Sequence, residues 1–209
     1  MSYAVKECYL TVQGEGAQAG ITAVFLRFAG CNLWSGLERD RAKAVCQFCD
    51  TDFVGTNGPG GGKFKSADEL AAHVDEFWPE SGQKWVVCTG GEPALQLDTD
   101  LIKAFHKRDF KIAIETNGTL PLPSGIDWIC VSPKADASLV QVTGHELKLV
   151  YPQKENRPED FSGLDFGVFS LQPLDDKNQA AHSEAAFKYC LENPTWRLSV
   201  QTHKYIGVP

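Results

Sequence analysis

The stretch KWVVCTGGEP, residues 84–93, decides the fold. Its first half is an apolar, β-rich run that predicts a buried strand, and two glycines then predict a turn. Helical patterns flank it, SADELAAHVDEFW (66–78) before it and LDTDLIKAFHKR (97–108) after it. Ser66 with Glu69 three residues later is a capping-box signature, which predicts the start of the first helix. The stretch therefore predicts a helix–strand–helix unit of the kind that builds a parallel sheet.

The alternation of strand and helix patterns extends along most of the chain. Short apolar runs that end in glycine, proline or polar residues predict further strands at ITAVFLRFAG (21–30), FKIAIETNG (110–118), DWICVSPK (127–134), HELKLVYP (145–152) and FGVFSLQPL (166–174). A helix at NQAAHSEAAFKYCLENP (178–194) and a final strand and tail in WRLSVQTHKYIGVP (196–209) follow. The pattern predicts one α/β domain, residues 1–209, with a mostly parallel sheet.

Polar residues cluster where the predicted strands end, at residues 89–92, 115–117 and 132–134 and at Gln172. The carboxyl ends of parallel strands meet at one edge of a sheet or barrel, and ligands bind at that edge. The sequence therefore predicts a functional rim there.

Composition and charge limit the function classes. The chain has 209 residues, with 20 Lys and Arg against 27 Asp and Glu, so its formal net charge is −7. An acidic balance disfavours nucleic acid as the main partner. No apolar run is long enough for a membrane span, and the N-terminus lacks a secretory-signal pattern. We therefore expect a cytoplasmic protein, in which grouped cysteines are more often ligands than disulfides.

Three of the seven cysteines, Cys31, Cys46 and Cys49, have loop-like flanks. A structural zinc site would need a fourth ligand, and the nearest downstream histidine, His73, lies in a predicted helix. Iron–sulfur clusters also take cysteine thiolates, and a four-iron cluster on three of them leaves one iron open for a substrate. Three unrelated buried thiols remain the alternative. Core positions are predicted for the other four cysteines, Cys8, Cys88, Cys130 and Cys190.

The glycine run NGPGGGKF (57–64) does not match a phosphate-binding loop. Asn57 occupies the place of the first glycine, and Phe64 follows Lys63 where Ser or Thr would bind magnesium. We interpret the run as a flexible hairpin or linker.

Three cysteines followed by Gly-Gly-Glu-Pro resemble the radical S-adenosylmethionine superfamily. Within it, the 7-carboxy-7-deazaguanine synthase family is similar in blocks spread over nearly the whole chain: TVQGEG (11–16), FLRFAGCNLW (25–34), CDT (49–51), TGGEP (89–93), ETNG (115–118), SPK (132–134), LQPLD (171–175) and QTHKYIGVP (201–209). The resemblance implies an α/β fold that is a partial, reduced (β/α) TIM-like barrel of the radical S-adenosylmethionine type.

The resemblance also implies the cofactors. A [4Fe-4S] cluster would be held by Cys31, Cys46 and Cys49, with S-adenosylmethionine on the open iron and Mg²⁺ held partly by Thr51. The expected contacts to S-adenosylmethionine come from the residues around the last cysteine, the Gly-Gly-Glu-Pro turn and the rim: Phe48, Cys49, Asp50, Gly90, Gly91, Glu92, Glu115, Ser132, Lys134 and Gln172.

The implied reaction is the radical ring contraction of 6-carboxy-5,6,7,8-tetrahydropterin to 7-carboxy-7-deazaguanine with loss of ammonia, a lyase step of queuosine and 7-deazapurine biosynthesis. Arg27, near the end of a strand, is the expected partner of the pterin carboxylate. Other expected substrate contacts lie in the loop before that strand, on the rim and at the chain end: Gln13, Gly14, Glu15, Thr89, His203 and Pro209, the last through its carboxylate. Lys204 belongs to a matching motif without an assigned role. The implied partners are a one-electron donor protein and a second copy of the chain.

One feature departs from the superfamily, in which three residues usually separate the first two cysteines. Here fourteen residues separate them, so residues 33–45 are expected to be an insertion ending in a helix-prone stretch. Two alternatives stay open: a glycyl-radical activating enzyme, and a non-catalytic iron–sulfur or zinc module.

Overall fold

A computed structural model describes residues 2–208. Within that range nine strands form one sheet in the order β3-β1-β2-β4-β5-β6-β7-β8-β9. The strands are β1 (Tyr3–Val12), β2 (Thr22–Phe28), β3 (Gly62–Phe64), β4 (Lys84–Gly90), β5 (Phe110–Thr116), β6 (Trp128–Val131), β7 (Thr143–Tyr151), β8 (Asp165–Pro173) and β9 (Trp196–Leu198). The helices are α1 (Ala67–Asp75), α2 (Thr99–His106), α3 (Gln179–Glu192) and α4 (Thr202–Ile206). Short 3₁₀ turns span Gly16–Gln18, Glu38–Lys43, Pro93–Leu95 and Pro158–Phe161.

Parallel pairing runs without interruption from β2 through β9, and β1 is antiparallel to both β2 and β3. The parallel part of the sheet agrees with the predicted partial barrel. It also brings the carboxyl ends of β2, β4, β5, β6, β7 and β8 to one edge, where the sequence placed the functional rim.

Two apolar cores hold the helices against the sheet. The larger one joins α1 and α2 to β1, β2, β4 and β5, and Leu26, Leu70, Leu101 and Ile114 are fully buried in it. The smaller one joins α3 to β7, β8 and β9 around Leu149 and Leu171, with Trp196 at its edge. These cores fix the strands whose ends carry the polar residues.

The strands that the sequence predicts are present, and its three predicted helices correspond to α1, α2 and α3. Ser66 caps α1 by accepting the Glu69 backbone N–H at 3.2 Å, as the capping-box signature predicts. Asp98 caps α2 in the same way, because its carboxylate accepts the Leu101 N–H at 2.9 Å. None of the helices in residues 2–208 is long and apolar enough to cross a membrane.

Three local predictions need correction. The final strand predicted within residues 196–209 is present as β9, but residues Thr202–Ile206 of the predicted tail form α4. The strand β1 was not predicted at all. The glycine run is docked instead of flexible, because the Gly58 N–H donates to the Lys6 carbonyl at 2.9 Å and the Cys8 N–H donates to Pro59 at 2.8 Å.

Candidate active site

Two adjoining cavities occupy the rim of the sheet. The cysteine cavity, about 210 Å³, extends from the loop that follows Cys46 to the ends of β6 and β8. The Arg27 cavity, about 350 Å³, lies between β1, β2 and α4. Both cavities share one wall, formed by Glu15, Asp50, Thr51, Thr89, Glu115 and Gln201. The arrangement can hold two ligands side by side.

The predicted cofactor residues gather in the cysteine cavity. Its lining includes all but one of them: Phe48, Cys49, Asp50, Gly90, Gly91, Glu115, Ser132, Lys134 and Gln172. The exception is Glu92, which does not line either cavity. The predicted substrate residues within the described range gather around the Arg27 cavity, which is lined by Gln13, Gly14, Glu15, Arg27, Thr89 and His203. Pro209 lies outside the described residues.

All seven cysteines are free. Cys46 and Cys49 line the cysteine cavity, and Cys31 lines a neighbouring groove with Trp34. The Leu33 N–H donates to the Cys31 sulfur at 3.4 Å. The contact between the other two thiols lowers the pKa of Cys49 and raises that of Cys46. Cys49 is therefore the more readily ionised thiol of the pair, and thiolates are what iron binds.

The chemistry of these thiols fits an iron–sulfur cluster. Cys31, Cys46 and Cys49 all lie outside the helices and strands, and each is a free thiol. Iron–sulfur clusters are held by cysteine thiolates. The donor set of Cys31, Cys46 and Cys49 therefore suits the iron–sulfur group that the sequence predicts.

The Gly-Gly-Glu-Pro turn is pressed against the loop that carries Cys31. Gly90 has φ of +142°, a conformation that favours glycine. A Cβ on Gly91 would run into the Gly30 carbonyl and would lie 2.7 Å from the Cys31 Cβ. The Glu92 N–H donates to Gly30 at 2.9 Å. Both glycines are thus required for the turn to reach the cysteine loop.

Glu92 lies behind the cavity wall and is fully buried. Its carboxylate accepts the Thr116 hydroxyl at 2.6 Å, the Asn117 N–H at 2.8 Å and the Ala94 N–H at 2.9 Å. Burial raises its pKa, and the hydrogen bonds oppose that shift. Glu92 therefore ties the turn after β4 to the end of β5.

Lys148 on β7 lies beneath the shared wall and is almost fully buried. Its ammonium donates to Glu15 at 2.7 Å and to Glu115 at 2.9 Å. Burial raises the pKa of Glu115 and Lys148 opposes the shift, while the Glu15 carboxylate reinforces it. Burial would also raise the pKa of Glu15, but Lys148, Gln201 and His203 together lower it to about 2. The wall therefore carries an ionised carboxylate at Glu15 and a more basic one at Glu115.

Lys134 lies between the end of β6 and the cysteine side of the cavity. Its ammonium donates to the Ser132 hydroxyl at 2.6 Å and to the Ser132 carbonyl at 2.8 Å. It also lies 6.0 Å from the centre of the Phe48 ring. Burial lowers its pKa, which the thiols of Cys46 and Cys49 oppose. A cation in this place suits an anionic ligand or a negatively charged cluster.

Arg27 and α4 enclose the second cavity. The Arg27 Nε donates to the Glu7 carboxylate at 2.7 Å, and both side chains are mostly buried. Helix α4 closes over the loop before β2, because the Thr202 N–H donates to the Gly14 carbonyl at 2.8 Å. A Cβ on Gly14 would run into the His203 ring and would lie 2.8 Å from the His203 Cβ, so that loop and helix touch directly.

Sequence reasoning assigned no site role to Lys148 or Gln201. It placed Thr116 and Asn117 on the rim but did not predict that they bind Glu92. Lys148 had one available signal, since a charged residue in the apolar strand HELKLVYP next to the rim is unusual for a core position.

The sequence matches the model of the Radical SAM superfamily over residues 41–143, which includes Cys46, Cys49 and the Gly-Gly-Glu-Pro turn. The 7-carboxy-7-deazaguanine synthase of Caulobacter vibrioides is 62% identical over 210 residues, with 100% of each chain covered. The enzyme of the same name from Bordetella pertussis is 61% identical, again over 100% of each chain.

The structure resembles the crystal structure of QueE from Escherichia coli with a TM-score of 0.70 at 25% sequence identity, covering 97% of this chain and 95% of that one. Of the three functions left open by the sequence, these similarities favour the deazaguanine synthase over a glycyl-radical activating enzyme or a non-catalytic module.

Proposed function

Because the chain belongs to the 7-carboxy-7-deazaguanine synthase family of the radical S-adenosylmethionine superfamily, we propose that its substrate is 6-carboxy-5,6,7,8-tetrahydropterin. The enzyme is a radical lyase that forms 7-carboxy-7-deazaguanine by ring contraction with loss of ammonia, in the queuosine pathway. The observation that supports the proposal is the shared wall, because two adjoining cavities would let a cofactor and a substrate bind side by side.

Cys31, Cys46 and Cys49 would hold a [4Fe-4S] cluster through their thiolates. When bound and reduced, the cluster would supply one-electron reduction, and S-adenosylmethionine would supply the radical chemistry that acts on the substrate. Thr51, on the shared wall, would offer a hydroxyl oxygen to Mg²⁺, a metal that prefers oxygen ligands. Asp50 beside it would add negative charge.

The chain's own residues would bind and orient S-adenosylmethionine in the cysteine cavity. Gly90 and Gly91 leave room for the methionine end, since no side chain covers the backbone of the turn. Phe48 offers a flat apolar face to adenine. Contacts to the ribose hydroxyls and to the carboxylate would come from Glu115, Ser132, Lys134 and Gln172, all of which line this cavity.

In the Arg27 cavity, Arg27 would bind the substrate carboxylate through its planar fork, with Glu7 holding the guanidinium in place. Gln13, Gly14, Glu15 and Thr89 would contact the edge of the pterin ring.

Ionised Glu15 suits the N–H groups of that ring edge, because a carboxylate is a strong acceptor. His203 on α4 covers the loop that carries Gly14. The helix would thereby exclude water from the substrate.

We further propose that the enzyme acts in the cytoplasm as a homodimer and that a one-electron donor protein reduces it. The seven free cysteines support a reducing compartment. We also propose that residues 1–209 form one domain with an insertion at residues 33–45, which the single sheet supports.

An anaerobic assay tests the function. The cluster is reconstituted, and dithionite, Mg²⁺, S-adenosylmethionine and 6-carboxytetrahydropterin are added while products are followed by mass spectrometry. We expect 7-carboxy-7-deazaguanine to exceed one equivalent of S-adenosylmethionine, since the family regenerates this cofactor. Cleavage of S-adenosylmethionine without the deazaguanine product would refute the assigned substrate, and omission of Mg²⁺ tests the metal separately.

A further inference from the structure

The inserted segment, residues 33–45, packs against the protein instead of looping away from it. The Val45 N–H donates to the Leu33 carbonyl at 3.1 Å, which closes the segment on itself. In its middle, Gly36 approaches Phe53 so closely that a Cβ would lie 2.9 Å from the phenyl ring. The segment therefore has a fixed position beside the loop that carries the cysteines.

Arg41, in this segment, hydrogen-bonds to the loop between the last two cysteines. Its Nη1 donates to the carbonyl of Gln47 at 2.9 Å and to that of Cys49 at 3.0 Å. Its Nε donates to the Glu38 carboxylate at 2.8 Å, and its guanidinium lies 4.1 Å from the centre of the Trp34 ring. Only a planar fork with several donors can make all these contacts at once, so lysine would not replace it.

Trp34, beneath Arg41, carries a buried N–H without an acceptor. The side chain is only 8% exposed and packs edge-on against Phe53, with ring centres 5.6 Å apart. Within the described residues its Nε1 has no hydrogen-bond partner. Buried donors without partners are rare and need an explanation. Trp34 lines the same groove as Cys31, and a cluster bound to Cys31 would bring sulfur acceptors to that place.

We propose that the inserted segment is a built part of the iron–sulfur site, in which Arg41 fixes the cysteine loop and the Trp34 N–H donates to a sulfur of the cluster. This inference rests on the proposed function, because it needs the [4Fe-4S] cluster. An N–H···S hydrogen bond favours the more negatively charged, reduced cluster and so raises its reduction potential. A loop held by Arg41 retains iron longer, because releasing iron from Cys46 or Cys49 requires the loop to open.

The test compares Trp34→Phe and Arg41→Lys with two matched controls. Trp34→Phe removes the N–H and keeps an aromatic ring, and Arg41→Lys keeps the charge and loses the fork. The first control is Trp78→Phe, since the Trp78 N–H already donates to the Ser81 carbonyl at 3.2 Å. The second is Arg39→Lys, which changes a side chain that is 80% exposed. Each protein is reconstituted anaerobically, and its midpoint potential is measured by titration with detection by electron paramagnetic resonance.

We expect the midpoint potential of Trp34→Phe to be more negative than that of the wild type. We expect a chelator to remove iron from Arg41→Lys about tenfold faster, the lower end of the usual effect of residues that orient metal ligands. Both controls should match the wild type. A more negative potential in Trp34→Phe or faster iron loss in Arg41→Lys would show that the segment belongs to the site. If neither effect is seen, the proposal is overturned.

Two further results keep the outcome clear. If the wild-type protein binds no cluster, the proposed function is refuted, and the role of the segment is refuted with it. If Trp34→Phe or Arg41→Lys fails to fold by circular dichroism, then Trp34→Leu or Arg41→Gln is measured in its place, with the same expected direction.

Discussion

The ammonium of Lys148 lies 2.7 Å from a carboxylate oxygen of Glu15, across 133 residues of sequence. The pair joins the middle of β7 to the loop before β2, at the wall between the two cavities. The same ammonium contacts Glu115 at 2.9 Å, so one buried cation serves two carboxylates. This arrangement keeps acidic groups next to both cavities and pairs their charges with a buried cation.

Replacing Lys148 by Met should therefore destabilise the protein. Two mostly buried carboxylates would lose their cation, and removing one partner of a buried ion pair costs about 3–5 kcal/mol. The free energy of unfolding is measured by urea denaturation at pH 7. The control is Lys154→Met, because the Lys154 side chain is 92% exposed. Equal stability of the two variants would contradict the structural role of Lys148.

The low pKa of Glu15 makes part of the stability pH-dependent. Burial would raise this pKa, but Lys148 and its neighbours lower it from 4.5 to about 2. A group whose pKa is lower in the folded state stabilises the protein above its unfolded pKa, and that contribution is lost as the pH falls from 4.5 towards 2. The unfolding free energy of the wild type minus that of Glu15→Gln should thus fall by about 2–3 kcal/mol between pH 6 and pH 2.5. A difference that stays constant over this range would show that Glu15 has no such pKa.

The Gly-Gly-Glu-Pro turn gives a prediction on close packing. Gly91→Ala should push the turn away from the Gly30 carbonyl, because no space exists there for a Cβ. We expect a loss of about 1–3 kcal/mol in the free energy of unfolding, as for other overpacked sites, and less iron bound after reconstitution. Gly163→Ala is the matched control, since a Cβ there would meet nothing within 4 Å. Wild-type iron content in Gly91→Ala would mean that the turn can shift freely.

Glu92 gives a prediction on hydrogen bonding. In Glu92→Gln one carboxylate oxygen becomes an NH₂ group, which must face a donor from Thr116, Asn117 or Ala94. The unmade hydrogen bond should lower the free energy of unfolding by about 1–3 kcal/mol. Glu76→Gln serves as the control because the Glu76 side chain is 75% exposed. Calorimetry with S-adenosylmethionine then shows whether the loosened turn also binds the cofactor more weakly.

The elements that the sequence predicted correctly are those whose signals lie within a few neighbouring residues. Ser66 and Asp98 cap α1 and α2 through their own side chains, so these helix starts are visible within a few residues of sequence. The apolar runs of β4 and β5 were equally clear, because strands buried in a parallel sheet are continuously apolar.

The elements that were missed depend on contacts far along the chain. Helix α4 has five residues, too few to be stable alone, and it is held by Gly14 and by the ion pairs of Lys204 with Asp50 and Asp175. Lys148 was missed for the same reason, since its partners lie 133 and 33 residues away. Glu92 was expected against the cofactor because its motif lies at the rim, but the turn directs its carboxylate inward.

Arg27 gives the prediction that bears most directly on the substrate. Its guanidinium lines the second cavity with Glu7 holding it in place, so Arg27→Met should weaken the binding of a carboxylated pterin. Hydrogen bonds to charged groups contribute about 1.5–3 kcal/mol, which corresponds to a loss of affinity of roughly 10- to 150-fold. Arg39→Met controls for the loss of one positive charge, because the Arg39 side chain is 80% exposed.

A pterin that lacks the carboxylate separates the two possible roles of Arg27. Both pterins are titrated anaerobically into the reconstituted protein by calorimetry. If Arg27 binds the carboxylate, Arg27→Met loses affinity for 6-carboxytetrahydropterin and binds the uncarboxylated pterin as the wild type does. An equal loss for both pterins would instead mean that Arg27 only supports the cavity through Glu7. The substrate carboxylate would then have to bind another cationic side chain of this cavity. Lys6 and Lys204 both line it.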